Sequence, residues 1–133
     1  DEDWIYDWQK SQELRSGKHT LRDYCFETPS KTNDQTSTVP ASAAVGTVTH
    51  KLAVGGNDKL ELYDYPGEFA QRFDGVDPGG GKRAGDLAKI NPDGKRTNEV
   101  RMQAETAQAL SVRGAGIARH LTPGHKFKLD KHF

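Results

Sequence analysis

Leu21-Arg22-Asp23-Tyr24-Cys25-Phe26-Glu27-Thr28-Pro29 reads as a β-strand that runs into a proline stop. Successive strand side chains point to opposite sides, so Thr20, Arg22, Tyr24 and Phe26 share one face while Leu21, Asp23 and Cys25 share the other. Neither face is cleanly apolar. From Trp4 onward the chain is rich in aromatic and β-branched residues, and Ser16-Gly17-Lys18 interrupts the run. The predicted element is a hairpin over 4–27. A helix over 2–15 is the competing reading, because Ile5, Trp8 and Gln12 lie at helical spacing.

Beyond this strand, 28–47 is mostly Ser, Thr, Ala, Pro and Asn without a sustained period, and it is predicted as a loop. Val48 to Val54 and Leu60 to Tyr65 read as two short strands joined by Gly55-Gly56-Asn57-Asp58, residues that tolerate positive φ. Tyr65-Pro66-Gly67 ends the second strand, since proline removes a ladder donor, and Tyr63 and Tyr65 share one face. Six glycines (Gly75, Gly79, Gly80, Gly81, Gly85 and Gly94) mark a second long loop over 74–96. Thr97 or Asn98 then caps a helix near 98–110, with Val100, Ala104, Ala107 and Leu110 on its apolar face. After Gly114-Ala115-Gly116, a closing hairpin is predicted from Ile117 to Leu129 around Thr122-Pro123-Gly124. No repeat with a period of about 20 to 50 residues is visible.

The chain has 133 residues and a formal net charge of zero. That length suits one domain, and bulk attraction to nucleic acid or an anionic membrane is not its driving force. Leu, Ile, Val and Phe make up only 24 residues, about 18%, whereas eleven aromatics argue for packed structure. The combination points to a globular piece with long polar loops that completes its core against other segments or subunits. No stretch approaches the 18 or so apolar residues of a membrane helix. The opening Asp1-Glu2-Asp3 lacks an initiator Met, so the chain is expected to be a fragment of something longer. Cys25 stands alone, which excludes an internal disulfide and suits a reducing compartment; a nucleophilic Cys25 lacks a cationic neighbour in sequence.

Gly79-Gly80-Gly81-Lys82-Arg83 invites comparison with a phosphate loop, but Val76 stands where the first glycine belongs and Arg83 where the hydroxyl residue belongs. His120, His125 and His132 crowd the C-terminal end with Asp130, at spacings that match no zinc signature. His19 and His50 are isolated. No catalytic, cofactor or metal residues are therefore assigned. Charge is uneven: 1–15 holds Asp1, Glu2, Asp3, Asp7 and Glu13 against Lys10 and Arg15, a net of −3. The last 21 residues hold Arg113, Arg119, Lys126, Lys128 and Lys131 against Asp130, a net of +4, so the two ends can pair within the fold or across subunits. Only Phe127 and Phe133 offer stacking surfaces there, and a nucleic-acid strand is not the expected partner.

Three phrases now speak together: Leu21 to Pro29, then Leu62-Tyr63-Asp64-Tyr65-Pro66-Gly67-Glu68-Phe69, then Leu121-Thr122-Pro123-Gly124-His125-Lys126-Phe127-Lys128-Leu129. In this order they resemble the VgrG spike proteins of bacterial type VI secretion, which are themselves similar to phage baseplate hub proteins. Glu99 to Ala109 and Arg113-Gly114 look like the segment linking the last two phrases. Cys25 departs from the family's usual Asn, and neither loop matches a family pattern.

The resemblance implies an internal piece of a much longer protein, with 1–133 a single segment of its hub-like region. It implies a mainly β, barrel-like α+β fold and a non-enzymatic trimer that sits on a tube of Hcp rings. Such a spike carries effector cargo in some members, is assembled in the bacterial cytoplasm and is then driven toward a target cell. The family-motif residues it assigns are structural: Leu21, Arg22, Asp23, Tyr24, Phe26, Pro29, Tyr63, Asp64, Tyr65, Pro66, Gly67, Leu121, Pro123, Gly124, Phe127 and Leu129. Two alternatives remain: a phage tail baseplate hub protein, and a small hydrolase or phosphate-binding domain using the glycine-rich loop and the C-terminal histidines.

Overall fold

The computed structural model describes residues 3–76 and 78–131. Among them the strands are β1 (Ile5–Gln12), β2 (Lys18–Asp23), β3 (Asn33–Thr38), β4 (Ser42–Val45), β5 (Val48–Lys51), β6 (Glu61–Asp64) and β7 (Leu110–Gly116); the helices are α1 (Ala84–Leu87) and α2 (Ile90–Ala107). They fall into two units, Gln12–Leu110 and Asp1–Ser11 with Ser111–Phe133.

In the larger unit β2 is the centre of a three-stranded sheet in the order β3-β2-β6. It runs antiparallel to β3, with Leu21 opposite Gln35, and parallel to β6, with His19 opposite Leu62. The predicted alternation holds from Leu21 to Phe26, with Leu21, Asp23 and Cys25 buried and Arg22, Tyr24 and Phe26 exposed, but Thr20, placed on the face of Arg22, is buried. Helix α2 packs across β2 and β3. The core gathers Leu21, Cys25, Phe69, Ala70, Phe73 and Ile90, with Leu87 against it. Two close approaches need glycine: a Cβ on Gly67 would lie 2.7 Å from Leu21 Cγ, and one on Gly94 would lie 2.5 Å from Phe69 Cε2.

Several expectations are corrected. Both arms over 4–27 are extended, which sets aside the helix over 2–15, but they do not pair as a hairpin; β1 pairs with β7 instead. Gly17 is a crowded crossing, not a turn: its N–H donates to Asn57 O at 2.8 Å and its carbonyl accepts from Val39 N–H at 2.8 Å. The stretch 28–47, predicted as a loop, carries β3 and β4. β3 has no apolar residue to reveal it; it is held by the ladder to β2 and by Thr20 Oγ1 against Thr36 Oγ1 at 3.0 Å. β5 closes a hairpin with β4, so the two strands expected over 48–65 form but join different sheets.

The stretch 74–96 is likewise not one loop, because α1 lies inside it and α2 begins at Ile90. Pro92 is tolerated in the first helical turn, where its missing N–H has no intrahelical acceptor to lose. The buried face of α2 is Ile90, Gly94, Asn98 and Met102, not the predicted Val100 face. Near the end of the chain the Thr122-Pro123-Gly124 turn forms, with His125 N–H donating to Thr122 O at 3.2 Å, but the described residues flanking it form no strands.

In the smaller unit Gly114 lies against Trp8 and Asp7 while Gly116 lies against Trp4 and Ile5, which sets the strands antiparallel. The described strands thus form sheets of two, three and two members. The fold is mainly β with one long helix, and no closed barrel forms among the described residues.

Candidate functional site

The first two motif phrases meet at the end of β2. Gly67 N–H donates to Arg22 O at 2.8 Å, where a side chain on Gly67 would collide with Leu21. Asp23 is buried because it is fully used: Oδ2 accepts from Ala70 N–H at 2.7 Å and Oδ1 from Tyr24 N–H at 2.9 Å. A buried carboxylate is stable only with such donors. Phe69 and Ala70, at the end of the second phrase, enter the core that Leu21 and Cys25 open. Asp23 therefore ties the chain after β6 to the end of β2, which explains an acid on an otherwise apolar face.

The opposite face of the same residues is open. Arg22, Tyr24, Pro29, Tyr63 and Tyr65 line one groove together with Lys31. Tyr24 stacks edge-on with Phe26, ring centroids 5.3 Å apart, and both remain exposed. Exposed aromatics of this kind suit contact with another macromolecule. The third phrase belongs to the smaller unit, where Leu121 and Phe127 are exposed and Phe127 meets Trp8 edge-on at 6.4 Å. Pro123 and Gly124 form the turn, Gly124 with φ +83°, and Leu129 lies half-buried beyond it.

The residues once weighed for chemistry disperse. Gly79, Gly80 and Gly81 take positive φ in an irregular turn, Gly79 N–H donating to Glu27 O at 3.3 Å. Arg83 next to them is tied to Asp86 at 2.9 Å. The Lys89 ammonium and then Arg83 hold the Asp86 carboxyl below its ordinary range. His120 Nε2 lies 3.6 Å from Asp3 Oδ2, and His125 Nδ1 lies 3.4 Å from the carbonyl of Pro123. His132, Phe133, Asp1 and Glu2 lie outside the described residues. Among the described residues no three His, Cys, Asp or Glu side chains converge as metal ligands do. Cys25 is buried in the core.

One cluster was not legible in advance. Asn98, expected as a helix cap, is fully buried beneath the sheet. Its Nδ2 donates to His19 O at 3.0 Å and Gln35 O at 2.9 Å, and lies 3.2 Å from Ser37 Oγ. Its Oδ1 faces His19 Nδ1 at 2.5 Å. His19 Nε2 in turn lies 3.2 Å from Asp64 Oδ2, which Arg101 also reaches at 3.2 Å. Asn98 is spaced four residues from both Gly94 and Met102, which is the signal that could have placed it on the buried face.

Comparison with known proteins places this geometry. The phage tail baseplate hub (GPD) family matches the chain over residues 1–133. Three proteins of Pseudomonas aeruginosa are similar to it: type VI secretion system spike protein VgrG1b, 30% identical over 128 residues and 96% of this chain; VgrG1a, 28% identical over 96% of this chain; and VgrG1c, 27% identical over 98%. The chain covers 13%, 15% and 14% of those relatives' own lengths, so it corresponds to one segment of each. The chain belongs to the phage tail baseplate hub (GPD) family, and its similarity within that family runs to type VI secretion spike proteins.

Proposed function

We propose that the chain is a structural segment of a trimeric spike in a contractile injection machine, working through assembly and not through catalysis. In this reading the spike sits on a tube of Hcp-like rings, helps puncture the target cell and brings effectors with it. It is assembled in the bacterial cytoplasm and then translocated. The observation that carries the assembly role is the state of the smaller unit. None of its described residues is buried, although it contains Trp4 (55% exposed), Tyr6 (63%), Ile117, Leu121 and Phe127 (55%). Such a surface is stable in water only when another chain segment or protomer covers it.

A phage tail hub is the second reading, favoured by the family description itself. A long β-helical repeat or an effector domain downstream in the full-length protein distinguishes the spike from it. Light scattering on the full-length protein should return three copies per particle. A stable monomer at micromolar concentration would overturn the spike reading.

A further inference from the structure

We propose that the pocket between the turn over 27–31, the start of β3 and the joint of α1 with α2 binds a carboxylate on a short aliphatic stem. Its volume is about 400 Å³, and it lies wholly within the larger unit. Two buried side-chain atoms without a hydrogen-bond partner, Asn33 Nδ2 and Thr28 Oγ1, belong to residues that line it. Asn33 is 2% exposed, and a buried amide hydrogen without an acceptor is costly enough that such groups are almost always satisfied. The direction of the Asn33 side chain follows from β3. It shares a face with Gln35 and Ser37; Gln35 Nε2 donates to Asn91 Oδ1 at 3.4 Å and Ser37 Oγ accepts from Asn98 Nδ2 at 3.2 Å, so this face looks toward α2. Ile90 and Asn91, at the start of α2, line the pocket on that side. The backbone of the turn is engaged with its own surroundings, Thr28 N–H donating to Cys25 O at 3.1 Å and Lys31 N–H to Thr28 O at 3.0 Å.

The groups left over are donors. An amide nitrogen only donates, and Lys31, exposed and lining the same pocket, carries an ammonium with no partner among the described residues. Thr28 adds a hydroxyl that donates or accepts. The one carboxylate in the lining, Glu27, opposes an anion, but its Oε1 already accepts from Gly75 N–H at 3.2 Å. A negatively charged acceptor satisfies Asn33, Thr28 and Lys31 at once. The helical side of the pocket contributes Ala84, Leu87, Ala88 and Ile90, which suits a hydrocarbon stem. A free short-chain acid and the glutamate side chain of a peptide carry this same chemistry.

Saturation-transfer NMR on the full-length protein tests this, with pentanoate and the α-amide of N-acetylglutamate as probes. Pentanoate should bind saturably, and pentanamide, equal in length but uncharged, about tenfold more weakly. Asn33→Asp replaces the donor by an acceptor of the same shape and should weaken pentanoate by about tenfold or more. Lys31→Met, at an exposed position, should weaken it by about fivefold. Binding of the glutamate probe as tight as that of pentanoate assigns the site to a peptide side chain, whereas pentanoate alone assigns it to a free acid; both outcomes support the carboxylate. Absence of saturable binding would overturn the proposal and leave the two orphaned atoms to water. Pentanamide bound as tightly as pentanoate would overturn it too. So would pentanoate binding unchanged in Asn33→Asp or in Lys31→Met, which would mark an adventitious contact elsewhere.

Discussion

Gly94 shows how a single missing side chain sets the position of a helix. Host preferences favour alanine over glycine in a helix interior by about 1 kcal/mol. Here, however, a Cβ would meet three atoms of the Phe69 ring at 2.5 to 2.9 Å, and Phe69 is itself buried in the core. Overpacking of this kind costs about 1 to 3 kcal/mol, so Gly94→Ala should be net destabilising. Gly85→Ala is the control, because nothing lies within 4 Å of a Cβ there. Thermal unfolding should show a lower midpoint for the first variant and an unchanged or raised one for the second. A rise for Gly94→Ala would mean that helix and ring do not meet as described. The same residue explains a misreading. With Gly94 and Asn98 on the buried face, the apolar stripe of α2 is broken, and an alternative stripe through Val100 looks better in sequence.

The legibility of each element depends on what buries it. The end of β2 could be read from its alternation because Leu21 and, just beyond the strand, Cys25 enter the core, whereas His19 and Thr20 before them are both buried. β3 could not, because Asn33–Thr38 is polar throughout and owes its place to backbone pairing and to Asn98. The pairing of β1 and β7 joins residues about a hundred positions apart, and local pattern carries no trace of it. Asp23, Gly67 and Phe69 stand in the first two motif phrases, and that they meet at the end of β2 is shown only by the fold. β6 has an attachment to β2 that responds to acid. Glu61 is held below the ordinary carboxylate range, first by the hydroxyl of Thr20 at 2.5 Å and then by Lys18. A depressed carboxyl stabilises fully above the ordinary glutamate value of about 4.3, and that support is lost as pH falls through its lowered one. Exchange protection of β6 should therefore decline in acid, and Glu61→Gln should remove that decline. A Glu61→Gln protein that still loosens in acid would assign the effect to another group.

At the scale of the whole molecule, the uneven charge and the exposed aromatics make different demands on assembly. Asp3 and Asp7 of the acidic opening belong to the same unit as the basic end, with Asp3 Oδ2 3.6 Å from His120 Nε2, so charges of the two ends can offset each other within a protomer. Register between protomers then does not require them, and the exposed apolar side chains become the main source of association energy. Raising ionic strength from about 0.1 M to about 1 M shortens the screening length from about 10 Å to about 3 Å. If complementary ends hold the proposed trimer, this should dissociate it; if apolar burial holds it, the proposed trimer should persist. Trp4→Ser and Phe127→Ser should each weaken association of the full-length protein by about 2 kcal/mol, roughly thirtyfold in Kd, as for buried aromatic anchors at an interface. Analytical ultracentrifugation of both variants at the two salt concentrations separates the cases. Dissociation by salt with no effect of either substitution would place the association energy in the charged ends and not in the aromatic surface.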